Sequence, residues 1–494
     1  MQAHVVYGPP GCGKSTELIG RMREAITQGT PEDRIGFVSF TKAAALELAH
    51  RVGIRPGGNI STIHSMAFRL AGVIKDQVID YVKLRQFQRI SGVEMSGANP
   101  DDAEALTDGD FYYALYQLHH ARGGVAGREA YELTYLESER PGSFPAFIRF
   151  CIGMDDFKSV NGYVDFNDML KLAITSGASP DVDVLFIDEA QDLSPLQWRL
   201  VDVWCKTIPE VHVAGDDDQS IYVWGGADSQ GMVKFESRYN AERTVLDQSY
   251  RIPSTVHTLA ETLIGMVGQR VEKTYHPREE EGSVKQCGDV RLLSDINHGD
   301  DVLVLFRNHA LREDIEDRVI ELGLPYVVDS GKPGLLHSYH ARAAKSWTTL
   351  IRDWKKMGQI MLGRRELDNL ARNVKGRLKV AIDRGDLDAF EHYDWWEAIQ
   401  APMQTMQYLK AVYRNFGTLN VEPTIHLSTI HGSKGREADR VVLINGMTAR
   451  SAEAMDRDPD SEIRTFYVGI TRARHQLDVV DGDNPMMNIT RNLR

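Results

Sequence analysis

Short apolar runs that end on polar or glycine-rich tips, each followed by a segment of helical spacing, recur along most of the chain. Val5-Val6-Tyr7 precedes a helical stretch over 17–25, the run from Ile35 to Lys42 precedes the alanine-rich 43–51, and Ile60 opens a third run. Others lie at Val184–Ile187, Val211–Ala214, Val302–Phe306, Ile425–Ile430 and Val441–Ile444. Apolar runs of this length between helical segments predict buried strands of a mainly parallel sheet with helices on its faces. Two regions break the alternation. Residues 68–159 and 336–419 read as helical, the first with Tyr81, Leu84, Phe87 and Gln88 at helical spacing and an acidic patch over 101–110. The expected fold class is α/β, in two sheet-containing domains: 1–67 with 160–244, and 245–335 with 420–494. Each carries one helical insertion.

Composition changes this picture little. At 494 residues, 42% hydrophobic and 26% charged, the chain has ample material for several ordinary cores. No apolar run approaches the length of a membrane span, and a strand and glycine-rich loop begin almost at Met1 where a secretory leader would lie. A cytoplasmic location without a membrane partner is expected. Cys12, Cys151, Cys205 and Cys287 are scattered without metal-ligand spacing, which fits a reducing compartment and no structural metal. The net charge of −13 counts against a nucleic-acid partner unless basic residues cluster locally. One cluster exists: between Ala341 and Lys379 there are eleven Lys or Arg against three acidic residues, interleaved with Trp347 and Trp354. Such a run is either a solvated helix face or a DNA-binding surface, and both readings stay open.

The strand tips carry the candidate chemistry. Gly8-Pro9-Pro10-Gly11-Cys12-Gly13-Lys14-Ser15-Thr16 lies between the first strand and the first helix, the context that a phosphate-binding loop requires. Its glycines let backbone N–H groups close around phosphate oxygens, Lys14 can reach the terminal phosphates, and the Ser15 hydroxyl is placed to hold Mg²⁺. At the end of the run Val184–Ile187 stand Asp188-Glu189-Ala190-Gln191-Asp192. Asp188 suits the anchoring of Mg²⁺ and Glu189 the activation of an attacking water, although acidic residues here also suit a helix cap. The run Val211–Ala214 delivers Gly215-Asp216-Asp217-Asp218-Gln219-Ser220-Ile221-Tyr222-Val223-Trp224. The uncharged Gln219 could sense a γ-phosphate by hydrogen bonding. Tyr222 and Trp224 alternate, so both rings could face one ligand and stack on bases at about 1–3 kcal/mol each, or belong to a core. His64, at the third tip, could equally be a structural residue.

In this order the blocks resemble the UvrD/Rep-type superfamily 1 DNA helicases, over essentially the whole chain apart from the two insertions. The most telling are Asp188–Asp192, Gly215–Tyr222 and Tyr467-Val468-Gly469-Ile470-Thr471-Arg472-Ala473, with Asp165-Phe166-Asn167-Asp168-Met169-Leu170 as a further match. The resemblance implies two RecA-like P-loop NTPase motor domains, 1A and 2A, with insertions 1B and 2B. It implies ATP-dependent movement on single-stranded DNA, unwinding of duplex with 3′ to 5′ polarity, ATP and Mg²⁺ as cofactors, and single-stranded DNA and its junctions with duplex as partners. Replication or repair proteins are candidate associates.

Carried over residue by residue, the resemblance puts Lys14 and Ser15 on phosphate and Mg²⁺, Asp188 and Glu189 on metal and water, and Gln219 on the γ-phosphate. It makes Arg251 and Arg472 arginine fingers supplied by the second motor domain, a role worth about 10³–10⁵ in rate in related systems. Tyr250 would stack on adenine and Glu437 would bind ribose. Phe40, Thr41, His64, Tyr222, Trp224, Thr429 and His431 would line the single-strand track, with Lys42 adding charge beside it where the family usually has Asn.

Three departures bear on this. Only seven residues precede Gly8, so the family's upstream glutamine segment has no counterpart, and adenine selectivity is expected to rest largely on Tyr250. Trp224-Gly225-Gly226-Ala227 stands where the family commonly has Trp-Arg-Gly-Ala, which removes a cation between ATP site and track. The chain stops about twenty residues after Arg474, too few for an appended nuclease. The competing classes are a translocase that displaces proteins or remodels forks with little unwinding, a non-motor ATP-gated DNA-binding protein, and a small-molecule P-loop kinase. The last leaves Arg472 without a task.

Overall fold

Burial on both faces explains why the first set of strands reads as unbroken apolar runs. β1 (Gln2–Tyr7), β2 (Ile35–Ser39), β3 (Ile60–Thr62), β4 (Val184–Ile187), β5 (Glu210–Gly215) and β6 (Glu242–Val245) form one sheet in the order β3-β2-β4-β5-β1-β6. Every pairing in it is parallel. Alternate side chains serve opposite faces: Val5, Tyr7, Leu185, Ile187, Val211 and Val213 join one core, and Val6, Val184, Phe186 and Ala214 the other. In the computed structural model the described residues are 1–39, 42–53, 58–96, 107–124, 143–287, 296, 299–328, 332–333, 339–340, 345–356, 364–384, 393–482 and 485–486.

After β6 the chain makes a short parallel ladder of β7 (Gln248–Pro253) and β8 (His276–Arg278). A second large sheet then uses β9 (Ser283–Cys287), β10 (Val302–Phe306), β11 (Tyr326–Val328), β12 (Lys332–Pro333), β15 (Ile425–Thr429), β16 (Ala438–Asn445) and β17 (Ala473–Asp481). Its order is β12-β11-β15-β10-β16-β17-β9, parallel throughout except for the β11/β12 edge. A separate two-residue ladder pairs β13 (Tyr339–His340) with β14 (Lys345–Ser346).

The chain divides into two compact units, Met1–Glu281 with Ala449–Thr471, and Gly282–Thr448 with Arg472–Arg494. These compact units meet at 281/282, where the expected motor domains meet at 244/245, and residues 449–471 pack with the first unit. Polar contacts account for the shift. Ser249 Oγ donates to the Pro10 carbonyl at 2.8 Å, the Tyr250 N–H donates to the Gly11 carbonyl at 3.0 Å, and the hydroxyls of Tyr275 and Tyr467 lie 3.3 Å apart.

The two regions read as insertions differ in kind. In the first, helices Tyr81–Ser91, Asp108–Ala121 and Phe144–Asn161 enclose a core of their own, rich in rings such as Phe87, Tyr112, Phe147 and Phe150. It is joined to the helix Phe166–Ser176 by a buried cation: Lys158 Nζ lies 2.8 Å from Asp165 Oδ2 and 2.5 Å from Asp168 Oδ2. Asp165 and Asp168 also cap that helix reciprocally, each side chain accepting the other's backbone N–H. In the second, Trp347, Leu350, Trp354, Leu370, Trp395 and Tyr408 share one core with Val302, Phe306, Ile425 and Leu427 of the sheet. Trp347 and Trp354, which lie within the basic run, are packing residues here. Among the described residues no helix is long and apolar enough to cross a membrane.

Replacing Lys158 by Met leaves the buried Asp165 without its cation, while the half-buried Asp168 keeps Lys171 at 3.6 Å. The first unit should lose about 3 kcal/mol of stability, as when one partner of a buried ion pair is removed. A denaturant titration followed by circular dichroism checks this, and an unchanged midpoint would count against the bridge.

Candidate nucleotide-binding site

The glycine-rich loop begins where β1 ends and wraps the N-terminus of the helix Lys14–Thr27. Gly11 and Gly13 adopt φ of 75° and 79°, in the left-handed region that side chains resist. Gly8 is required for a different reason: a Cβ there would lie 2.1 Å from Lys14 Cγ, because the lysine folds back over it and donates to the Gly8 carbonyl at 2.7 Å. Cys12 is buried, and burial pushes its thiol up to about 12, so it acts as a small packing residue. Thr16 is exposed and accepts from Arg51 Nη2 at 2.9 Å.

From the tip of β4, Asp188 meets this loop: Ser15 Oγ donates to Asp188 Oδ2 at 2.9 Å. Burial pushes the Asp188 carboxyl up to about 6, with the charge of Glu189 adding to the rise and Lys14 and the Ser15 hydrogen bond opposing it. The pair offers adjacent hard oxygen donors, and burial that opposes ionisation of the carboxyl is relieved by the positive charge that a divalent cation would bring. Serine and aspartate therefore fit Mg²⁺.

Glu189 follows with φ 54° and ψ 38°, left-handed although it is not glycine, which costs about 1–3 kcal/mol. Its N–H donates to Asp188 Oδ1 at 2.9 Å, and its Oε2 accepts from Gln191 Nε2 at 2.5 Å. Gln191 is buried and its Oε1 accepts the Asp216 N–H at 3.0 Å, so the tips of β4 and β5 are tied through one amide. Gln219, also buried, donates from Nε2 to Asp216 Oδ2 at 2.7 Å. The chain from β7 then returns to the loop. Gly11 has no room for a Cβ, which would sit 2.5 Å from Arg251 Cβ, while the Tyr250 ring is left 73% exposed.

Residues 1–240 match the family described as UvrD/REP helicase N-terminal domain, and residues 424–480 that described as UvrD-like helicase C-terminal domain. The chain belongs to the UvrD-type superfamily 1 helicases. It is 24% identical over 393 residues to DNA helicase II of Haemophilus influenzae, covering 66% of this chain and 49% of that protein. To the ATP-dependent DNA helicase UvrD2 of Mycobacterium tuberculosis it is 23% identical over 536 residues, covering 96% and 75%. To the ATP-dependent DNA helicase PcrA of Bacillus subtilis it is 25% identical over 336 residues, covering 60% and 44%. It thus spans about half the length of the first relative and three quarters of the second. The two parallel sheets are consistent with the expected pair of RecA-like motor domains.

The remaining positions of this UvrD-type chain fall as follows. Arg251 lies in the compact unit that holds the phosphate loop, not in the second unit that was expected to supply it. Tyr222 and Trp224 do not alternate along a strand. Tyr222 caps a 3₁₀ turn, Val223–Gly225, that contains Trp224, with ring centres 6.3 Å apart and Trp224 46% exposed. His64 opens the helix Ile63–Leu70 and meets Phe166 edge-on at 5.5 Å, and burial pushes its imidazole down to about 4. Phe166, within the block Asp165–Leu170, is 57% exposed. Phe40 and Thr41 lie outside the described residues, and Lys42 opens the helix Lys42–Val52 with its side chain likewise undescribed.

In the second unit, Thr429 ends β15 and its hydroxyl accepts the Gly432 N–H at 3.0 Å, with His431 half-buried in the same turn. Arg472 is buried and donates from Nη1 to the Arg436 carbonyl at 3.4 Å. Glu437 is exposed, with Arg474 Nη1 3.7 Å from its Oε1. Sequence reasoning assigned no task to Gln191, Arg270 or Lys273, all of which bond to residues at the site. Their only signal was polarity at positions far apart in the chain.

One other donor cluster, His4, Glu210 and His212, has its ligand atoms within 4.8 Å of one another. Its imidazoles are stacked at 4.4 Å and 7°, so no single ion can lie in both ring planes, and Glu210 instead pairs with His212 at 2.7 Å.

The raised Asp188 carboxyl gives a pH prediction. Burial favours the proton up to about 6, so that group's contribution to stability is greatest at low pH and is lost as the pH rises through about 6. Mg²⁺ must displace this proton. Its affinity should fall below that pH by at most about tenfold per unit, and Asp188→Asn should bind weakly without this dependence. Mg²⁺-dependent binding of a fluorescent nucleotide across pH 5–8 reads both.

Proposed function

We propose that the chain is an ATP-dependent DNA helicase that moves on single-stranded DNA and unwinds duplex with 3′ to 5′ polarity. The observation that carries the reading is the convergence of Ser15, Asp188 and the strained Glu189 on the loop that bears Lys14, with the exposed Tyr250 ring beside it. Lys14 exchanges the Gly8 carbonyl for the terminal phosphates. Ser15 and Asp188 would hold Mg²⁺, which would supply charge neutralisation at the phosphates. Glu189, oriented by Gln191, takes a proton from the attacking water, and Gln219 senses the γ-phosphate. Arg251, packed on Gly11, neutralises charge on the transferring group. Tyr250 offers its face to the base, with Glu437 proposed for the ribose.

Single-stranded DNA is proposed to run over Tyr222, Trp224, His64 and Phe166 in the first unit, with Phe40, Thr41 and Lys42 added by resemblance alone. A neutral His64 beside an exposed phenylalanine supplies stacking rather than charge. Thr429 and His431 carry the same assignment in the second unit. Arg472 is assigned to the phosphates, and its test is functional.

A second reading, a translocase that displaces proteins with little unwinding, draws on one feature. Where the family commonly carries arginine this chain has Gly225, and no atom lies within 4 Å of a Cβ built there.

Glu189→Gln should bind ATP normally and turn over at about 1% of the parent rate or less, as expected when a general base is removed. Arg472→Ala should also bind ATP and lose most of its turnover. Short single-stranded DNA should stimulate hydrolysis, and added salt should weaken that stimulation steeply. Unwinding of duplexes with a 3′ tail but not a 5′ tail supports the leading reading. Protein displacement without strand separation would favour the translocase, and turnover indifferent to DNA would remove the motor.

A further inference from the structure

Three consecutive aspartates at the tip of β5, Asp216, Asp217 and Asp218, are almost completely buried. Carboxylates so close repel one another strongly unless cations join them. Lys273, only 5% exposed, is the hub: its Nζ lies 3.2 Å from Asp216 Oδ1 and 3.0 Å from Asp218 Oδ2, and it also bonds to Asp217 Oδ1. Arg270 grips Asp218 with two bonds of 2.9 Å and 2.6 Å, and the Val271 N–H donates to Asp217 Oδ2 at 2.7 Å. The segment after β7 is thus fastened to the first sheet by charge.

Asp216 is the member that also touches the candidate site. Its Oδ1 faces Lys273, its Oδ2 accepts from Gln219 Nε2, and its N–H donates to Gln191, which in turn bonds Glu189. If Lys273 only balanced charge, any arrangement that neutralised the cluster would serve. The shared carboxylate demands more. With one oxygen held by Lys273, the other presents a fixed direction to the Gln219 amide, so the rotation of that amide is set from 54 residues away in sequence.

We propose that Lys273 is a positioning residue for nucleotide hydrolysis, acting through the Asp216 carboxylate on the orientation of Gln219. This rests on the reading of the chain as an ATPase. Burial disfavours the charged lysine, but the three carboxylates outweigh it and hold the ammonium well above its ordinary range. It therefore remains a cation at every working pH.

The test compares the full-length parent chain with Lys273→Arg, Lys273→Met and the double variant Lys273→Met/Asp217→Asn. Melting temperature, fluorescent-nucleotide affinity, and kcat and KM for DNA-stimulated hydrolysis are measured for each. The methionine variant should melt lower, and Asp217→Asn, by removing one of the crowded negative charges, should recover most of that loss. Turnover should not recover: kcat is expected to stay down by about tenfold or more while nucleotide affinity stays within about threefold of the parent, with the arginine variant closer to normal. Recovery of kcat together with melting temperature in the double variant, or a normal kcat in Lys273→Met, would overturn the proposal. A parent chain that hydrolyses no ATP would overturn the ATPase reading and this proposal with it.

Discussion

The hydrogen bond from Ser15 to Asp188 joins the two halves of the candidate site. Its partners lie at the carboxyl ends of β1 and β4, two strands separated in the sheet by β5, whose own tip carries Asp216 and Gln219. Parallel order is what allows this, because all three tips then point the same way and open onto one edge. The cost is visible in the residues themselves. Asp188 is held partly against its ionisation, Glu189 sits in a backbone conformation that side chains resist, and two glycines of the loop take left-handed angles. Such local expense, gathered at the tips of adjacent strands, marks that edge as the place where chemistry is arranged.

Charge buried at β5 ties a later segment of the chain to the first sheet. Three aspartates that could not be buried alone are bonded by two cations, Arg270 and Lys273, and the segment that carries those cations is drawn onto the first sheet. The same segment brings Ser249, Tyr250 and Arg251 against the phosphate loop. A linker by sequence position is a wall of the site by geometry. The buried cation Lys158 does similar work for the aromatic insertion, fixing it to the helix that exposes Phe166 beside His64.

Apolar periodicity and glycine-bearing tips were enough to set out the α/β alternation, the phosphate loop, the paired carboxylates and the glutamine after β5. Each of these is local: a run of apolar residues declares a buried strand, and a tip's chemistry lies within a few residues of it. The partition of the chain, the packing of Trp347, Trp354 and Trp395 into a core shared with the sheet, and the turn that brings Tyr222 beside Trp224 were not legible in this way. An aromatic near basic residues reads alike whether it faces a base or a core, and only its neighbours in space distinguish the two. The same holds for Gln191 and Lys273, which gain their meaning from partners 25 and 57 residues away at Asp216. Sequence order determined which polar groups this protein carries at its strand tips; tertiary structure decided which of them meet, because buried charges and amides must find partners wherever the fold brings them.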